Sequence, residues 1–249
     1  MPEAVFGLIG KTLKHSFSQK YFAEKFKRNG VKGRYDLFEL DHVSEAPALF
    51  ERIPDLIGFN VTIPFKQEIV PYLNDIGPVA LATNSVNLVV KDGHQLIGYN
   101  TDVGGFEHTV YSFVDRPIRS AVILGNGGAA QSVKYALAKI NCRTTVISRS
   151  REQNYEWLKA HGIQGYDVVI NTTPLGMFPQ VDEAPDIPYD DIQPRQVFID
   201  LIYNPETTLF LKKAEQRGAH VVNGMHMLHQ QADRAYDILF YHLEMNHNA

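Results

Sequence analysis

The chain has 249 residues, 44% of them hydrophobic and 21% charged, a globular composition with room for one large domain or two small ones. A formal charge of −4 argues against a nucleic-acid binder, which needs a basic face to release counterions. No run reaches the length of a transmembrane helix, and the single cysteine, Cys142, rules out an internal disulfide and fits a reducing, cytoplasmic compartment.

Residues 4–9 are apolar, but the run is short, contains Gly7 and follows Glu3 with no basic leader, so it reads as a first strand and not as a signal peptide. Spacing predicts a helix over 19–29, with Phe22 and Phe26 on one face, then strands at 35–40 and 56–61 around a helix at 46–52. A helix-like stretch covers 66–73. Residues 85–90 and 95–99 flank Asp92-Gly93, a pair that readily supplies the positive φ of a hairpin turn.

A second unit begins after Asp102, with a helix over 104–113 that ends before Pro117. An apolar strand at 121–124, a glycine turn at 125–128, a helix at 129–140 and a strand at 144–147 follow. Further strands are expected at 166–171, 196–201 and 220–222, and a long amphipathic helix at 225–243. This alternation implies an α/β fold with a parallel sheet covered by helices on both faces. The segment between Arg149 and Asp167 is too short for a full βαβ unit, so one strand of that sheet is expected to be lost or reduced.

Gly125-Asn126-Gly127-Gly128-Ala129 follows a buried strand and opens a helix, the setting of a dinucleotide fingerprint. Glycines there let the backbone approach a pyrophosphate, and the helix start offers free N–H groups. The plainer reading is a tight βα turn. The next strand ends in Ser148-Arg149-Ser150, with no acid until Glu152. An NAD site would carry an acid for the ribose 2′-hydroxyl, whereas a 2′-phosphate wants a cation and hydroxyl donors, so NADP is favoured as the cofactor.

Outside this unit, polar residues collect in short motifs beside strand ends. Residues 10–18 carry Ser16 and Ser18, and 58–66 carry Asn60, Thr62, Pro64 and Lys66. Ser85-Val86-Asn87, Asn100-Thr101-Asp102, and the run from Asn223-Gly224 through Met227-Leu228 to Gln230-Gln231 complete the set. With 167–177 and 200–205, these motifs stand in the order found in the shikimate dehydrogenase family, which the chain resembles over most of its length.

The resemblance implies a fold of three parts. Residues 1–103 would form an N-terminal α/β domain that binds substrate, 104–223 a Rossmann-type NADP domain, and 224–249 a helix returning to the first domain. It implies reversible NADPH-dependent reduction of 3-dehydroshikimate to shikimate, on the route to aromatic amino acids, by a cytoplasmic monomer or homodimer. Lys66 and Asp102 match the family's catalytic pair. Ser16, Ser18, Thr62, Asn87 and Gln231 match substrate ligands, and Asn60 and Tyr203 lie in matching motifs. Gly125, Asn126, Gly127, Gly128, Ala129, Arg149 and Gly224 match cofactor positions, with Ser148 and Ser150 flanking the arginine. The chain departs from the family pattern at Gln19, usually proline, at Asn84, usually glycine, at Leu88, usually threonine, and at Asn126, usually alanine.

The residue types suit that chemistry. Hydroxyl and amide side chains read a polyhydroxylated ring through directional hydrogen bonds and reject analogues that leave them unpaired. A ring ketone gains negative charge on its oxygen as it is reduced; the Lys66 ammonium can supply the proton and Asp102 can position it. Local sequence alone also allows Lys66 as a solvated lysine, Asp102 as a helix N-cap, the serines as caps of the helix near Gln19, and Gln231 as a surface residue. A quinate dehydrogenase using either cofactor and a non-catalytic NADP-binding regulator are the rival functions. His226 and His229 sit three apart on a helix, but no third ligand has metal spacing and no metal is expected.

Overall fold

The computed structural model describes residues 3–14 and 16–247, so His15 of the serine-bearing motif lies outside the described residues. The chain divides into two compact units, one running to Thr101 and resuming at Ala232, the other Asp102–Gln231.

The first unit holds β1 (Ala4–Gly10), α1 (Ser18–Arg28), β2 (Gly33–Glu39), α2 (Ala48–Arg52) and β3 (Leu56–Val61). It continues with β4 (Asp75–Ile76), α3 (Pro78–Thr83), β5 (Leu88–Asp92) and β6 (Gln95–Tyr99). Its sheet is six-stranded, in the order β2-β1-β3-β5-β6-β4. β1 runs parallel to β2 and β3, while β5 and β6 form an antiparallel hairpin against β3. Side chains alternate across β1: Val5 and Ile9 enter one core with Leu49, Phe50 and Phe59, and Phe6 and Leu8 enter the other with Phe22, Phe26, Ala235 and Leu239. Both faces are therefore covered, which is why β1 is buried throughout.

The second unit holds α4 (Asp102–Phe113), β7 (Ser120–Leu124), α5 (Gly128–Lys139), β8 (Arg143–Ile147), α6 (Tyr155–His161) and β9 (Val168–Asn171). It ends with β10 (Val197–Asp200), α7 (Leu209–Glu215), β11 (His220–Val222) and the start of α8 (Met225–His247). Its five strands are all parallel, ordered β11-β10-β9-β7-β8. β8 stands at the edge where a six-stranded doubly wound sheet would add one more strand, as the short segment after Arg149 implies. That segment keeps a two-turn helix, α6, whose Leu158 enters the core with Val122, Phe198 and Phe210.

Several local expectations need correction. Residues 66–73 form a succession of turns ending in a 3-10 segment, Val70–Tyr72, and no α-helix. Pro71 has no N–H to donate to Gln67, so the ladder cannot continue. β4 and α3 were not foreseen, because Asp75-Ile76 is too short to alternate and α3 is a single turn and a half opened by Pro78. The final helix runs through both units: residues up to Gln231 join the second, and from Ala232 onward it joins the first, with Ala235 and Leu239 in the core beside Phe6. Asn84, at the end of α3, takes the left-handed conformation (φ 46°) that glycine would otherwise provide, and asparagine tolerates it well.

Candidate active site

In the first unit the candidate residues gather where β1 and β3 end and β5 begins. Gly10 closes β1; a Cβ there would lie 2.6 Å from Thr62 Cγ2 and 2.7 Å from Leu13 Cδ2, so glycine lets the serine loop cross directly over Thr62. In that loop the Ser16 hydroxyl accepts the Ser18 backbone N–H at 3.2 Å, a local turn that leads into α1. Ser18 opens α1, and Gln19 beside it donates from Nε2 to the Tyr35 carbonyl at 3.1 Å.

From Tyr35 the polar chain runs inward. Its hydroxyl donates to Asn60 Oδ1 at 2.8 Å, and Asn60 Nδ2 donates to the Asn87 carbonyl at 3.2 Å. Asn87 Nδ2 donates to Thr101 Oγ1 at 2.8 Å, and the Thr101 N–H donates to Asn87 Oδ1 at 2.7 Å. Asn60, Asn87 and Thr101 are 6%, 2% and 2% exposed, so each satisfied bond matters: a buried amide without partners costs several times what a made bond contributes. Lys66 lies on the turn after the cis Ile63–Pro64 bond, half-buried, with its carbonyl accepting the Val86 N–H at 2.8 Å. Thus Ser16, Ser18, Asn60, Thr62, Lys66 and Asn87 share one unit, and Thr101 is a member that the motifs contained but did not single out.

In the second unit the nucleotide-type residues line the carboxyl ends of the parallel strands. Gly125 has φ +112°, and a Cβ there would meet Thr172 Oγ1 at 2.6 Å. Thr172 in turn donates to the Leu124 carbonyl at 2.7 Å. Gly127 precedes Gly128 and Ala129 at the start of α5; a Cβ on it would meet nothing within 4 Å, and no side chain caps the helix. The Asn126 side chain is held by Gln131 Nε2 at 3.1 Å. At the end of β8, Ser148 is buried beside Ser150, their hydroxyls 3.4 Å apart, and Arg149 is exposed. An open backbone, uncapped helix amides and a hydroxyl-flanked cation fit a dinucleotide with a 2′-phosphate.

Four further candidates sit in this unit. Asp102 is buried as the first residue of α4, and Gln231 lies on α8. The two helices meet at Gly105, where a Cβ would approach the Met227 carbonyl to 2.8 Å and Gln231 Cβ to 3.1 Å. Gly224 presses against the chain after β10: a Cβ would sit 2.1 Å from the Leu201 carbonyl oxygen, so packing alone demands glycine. Tyr203 lies half-buried in the loop after β10, just ahead of the cis Asn204–Pro205 bond.

Asp200 was not singled out by sequence. It is fully buried at the end of β10 and accepts from Asn171 Nδ2, the Ile202 N–H and the Thr208 hydroxyl at 3.1, 3.0 and 2.6 Å. Burial nevertheless pushes its carboxyl up to about 6. His226 is held below its usual value by burial and by the neighbouring His108 and His229. Among the described residues no group of three or more His, Cys, Asp or Glu is arranged to hold a metal ion, and no helix is long and apolar enough to cross a membrane.

Comparison with known proteins gives the wider setting. The shikimate dehydrogenase substrate binding domain matches residues 8–89. A shikimate dehydrogenase (NADP(+)) of Clostridium beijerinckii is 37% identical, over 94% of this chain and 90% of the relative. The crystal structure of shikimate dehydrogenase 1 from Peptoclostridium difficile superposes with a TM-score of 0.86 at 30% identity, covering 98% of this chain and 97% of that one. The Thermus thermophilus shikimate 5-dehydrogenase, solved with NADP(H) and shikimate, gives 0.84 at 25% identity over 95% and 93% of the two chains. Matched along nearly its whole length in sequence and in fold, this chain belongs to the shikimate dehydrogenase family.

Proposed function

We propose that the protein is an NADP-dependent shikimate dehydrogenase, interconverting 3-dehydroshikimate and shikimate in the cytoplasm. The observation that carries this reading is the pairing, in one chain, of two chemistries. One unit carries Lys66 together with a buried run of amides and hydroxyls, and the other holds a glycine cradle followed by Ser148-Arg149-Ser150. The named activity of the relatives points the same way.

The chemistry NADP supplies when bound is hydride transfer to or from the ring carbon that bears the oxygen. Lys66 donates a proton to that oxygen during reduction and takes it back during oxidation. Asp102 orients the lysine and a neighbouring ring hydroxyl. Ser16, Ser18, Thr62, Asn87 and Gln231 bind the carboxylate and hydroxyls of the ring, with Asn60 and Tyr203 beside them. Gly125, Asn126, Gly127, Gly128 and Ala129 take the pyrophosphate, Arg149 with Ser148 and Ser150 takes the 2′-phosphate, and Gly224 lets the chain pass close to the cofactor. The first unit is then the substrate domain and the second the cofactor domain, with α8 serving both.

The experiment is NADP+ reduction by the purified protein with shikimate and with quinate side by side. Rapid NADPH formation with shikimate and slow formation with quinate is the expected result. Preference for quinate would reassign the substrate, and no turnover with either would favour a binding protein on the same scaffold.

A further inference from the structure

Asp200 takes no part in hydride or proton transfer and, at 0% exposure, is sealed from any ligand, yet it joins two loops that border the glycine cradle. At the end of β9, Asn171 is equally buried. Its Oδ1 accepts the Thr173 N–H at 3.0 Å and the Thr173 hydroxyl at 2.6 Å, so it shapes the loop after the strand. Its Nδ2 donates to Asp200 Oδ1 at 3.1 Å, which decides the way the amide faces. That loop covers Gly125: a Cβ there would lie 2.6 Å from Thr172 Oγ1 and 3.2 Å from Thr173 Cγ2. On the other side, Asp200 Oδ1 accepts the Ile202 N–H at 3.0 Å, and the Ile202 carbonyl accepts the Gly224 N–H at 2.9 Å. Asp200 Oδ2 accepts the hydroxyl of Thr208, the N-cap of α7, at 2.6 Å. One carboxylate thus anchors the chain that lies against Gly125 and the chain that lies against Gly224.

We propose that Asp200 is a positioning residue for the cofactor: its carboxylate holds the loops at 172–175 and 201–203 in the shape that walls the dinucleotide. This proposal rests on the reading of the chain as an NADP-dependent dehydrogenase and adds a buried layer behind the residues that take NADP. Three donors converge on two oxygens, and a buried donor left without an acceptor costs more than a made bond contributes, so without the carboxylate the loops shift to find other partners. Asparagine is the informative replacement. Its oxygen can still face Asn171 and Ile202, and its amide can donate to the Thr208 hydroxyl, which turns to accept. Leucine is of similar size and satisfies none of the three. Two strands, β9 and β7, separate β10 from β8 and its Ser148-Arg149-Ser150, so NADP+ and NAD+ depend on Asp200 alike.

The test is calorimetric binding of NADP+ and of NAD+, each measured well below the melting temperature of the variant. Asp200→Leu should weaken both about 10-fold, whereas Asp200→Asn should stay within about twofold of the wild type. If Asp200→Leu does not fold, Thr208→Val carries the test. It removes one of the three donors from a side chain that is itself 0% exposed, and should weaken both cofactors about 3-fold. Unchanged binding in the folded variant, equal losses for Asp200→Leu and Asp200→Asn, or a loss confined to NADP+ would overturn the role of Asp200 while leaving the enzyme's identity intact. A wild-type protein that binds no NADP+ and oxidises no shikimate would overturn the functional reading and this proposal together.

Discussion

Asn87 and Thr101 hold each other in both directions: the Asn87 amide donates to the Thr101 hydroxyl at 2.8 Å, and the Thr101 backbone N–H donates back to the Asn87 amide oxygen at 2.7 Å. The exchange fixes which end of the amide is the donor, and both residues are buried, so the orientation is set by bonding and not by solvent. Thr101→Val keeps the β-branched shape and deletes the acceptor. It is expected to cost about 1–3 kcal/mol of stability and to raise the shikimate KM several-fold, with a smaller effect on kcat. Thermal melting together with steady-state kinetics checks this; an unchanged melting temperature and KM would show that the pair contributes nothing.

Arg149 should choose between the two nicotinamide cofactors. With the hydroxyls of Ser148 and Ser150 beside it and no acid at the strand end, Arg149→Ala is expected to weaken NADP+ binding by roughly one to two powers of ten. Its NAD+ use should hardly change. Titration with both nucleotides decides the matter, and an equal loss for both would remove Arg149 from the 2′-phosphate.

Gly105 should tolerate no side chain. Adding a methyl would bring it within 2.8 Å of the Met227 carbonyl and 3.1 Å of Gln231 Cβ, so the backbone of α8 has to give. Gly105→Ala is expected to destabilise the protein by about 1–3 kcal/mol and, by displacing Gln231, to raise the shikimate KM. Gly104→Ala is the control, since a Cβ there meets nothing within 4 Å. Indistinguishable melting and KM for the two variants would contradict the packing argument.

Asp200 should leave a mark on the pH dependence of stability. Its carboxyl is raised from 3.8 to about 6 by burial, so the folded state binds a proton more tightly than the unfolded chain does. Between these values stability attributable to this group falls as pH rises, by on the order of 3 kcal/mol in all, and is flat above and below them. Asp200→Asn removes that slope. Denaturant melts of both proteins from pH 4 to pH 7 measure it as a difference, and parallel curves would mean that Asp200 ionises freely in the fold.

Much of the architecture was legible in the sequence for identifiable reasons. β3, β6 and β11 were located to the residue, or nearly so, because apolar alternation and the Asp92-Gly93 turn are local signals. The loss of one strand from the second sheet followed from the short chain length between Arg149 and Asp167. The stretch 66–73 misled because its apolar spacing is helical while Pro71 breaks the hydrogen-bond ladder. In the candidate site, the residues at strand ends announced themselves as motifs. Tyr35 stood in no motif, and Thr101 and Asp200 stood in motifs without being singled out, because each acts through a partner elsewhere in sequence: Asn60, Asn87 and Asn171 respectively. No local pattern encodes such pairings; only the folded sheet brings them together.

Lys66 is the proposed acid–base group of a shikimate-oxidising enzyme, and the kinetics of Lys66→Ala test that role most directly. The variant, verified as folded by thermal melting, should lose roughly 10²–10⁴-fold in kcat for shikimate oxidation. Its affinity for shikimate, measured by calorimetry, should change far less, because the hydroxyl and amide ligands remain. A well-folded Lys66→Ala protein with near-normal kcat would contradict the account.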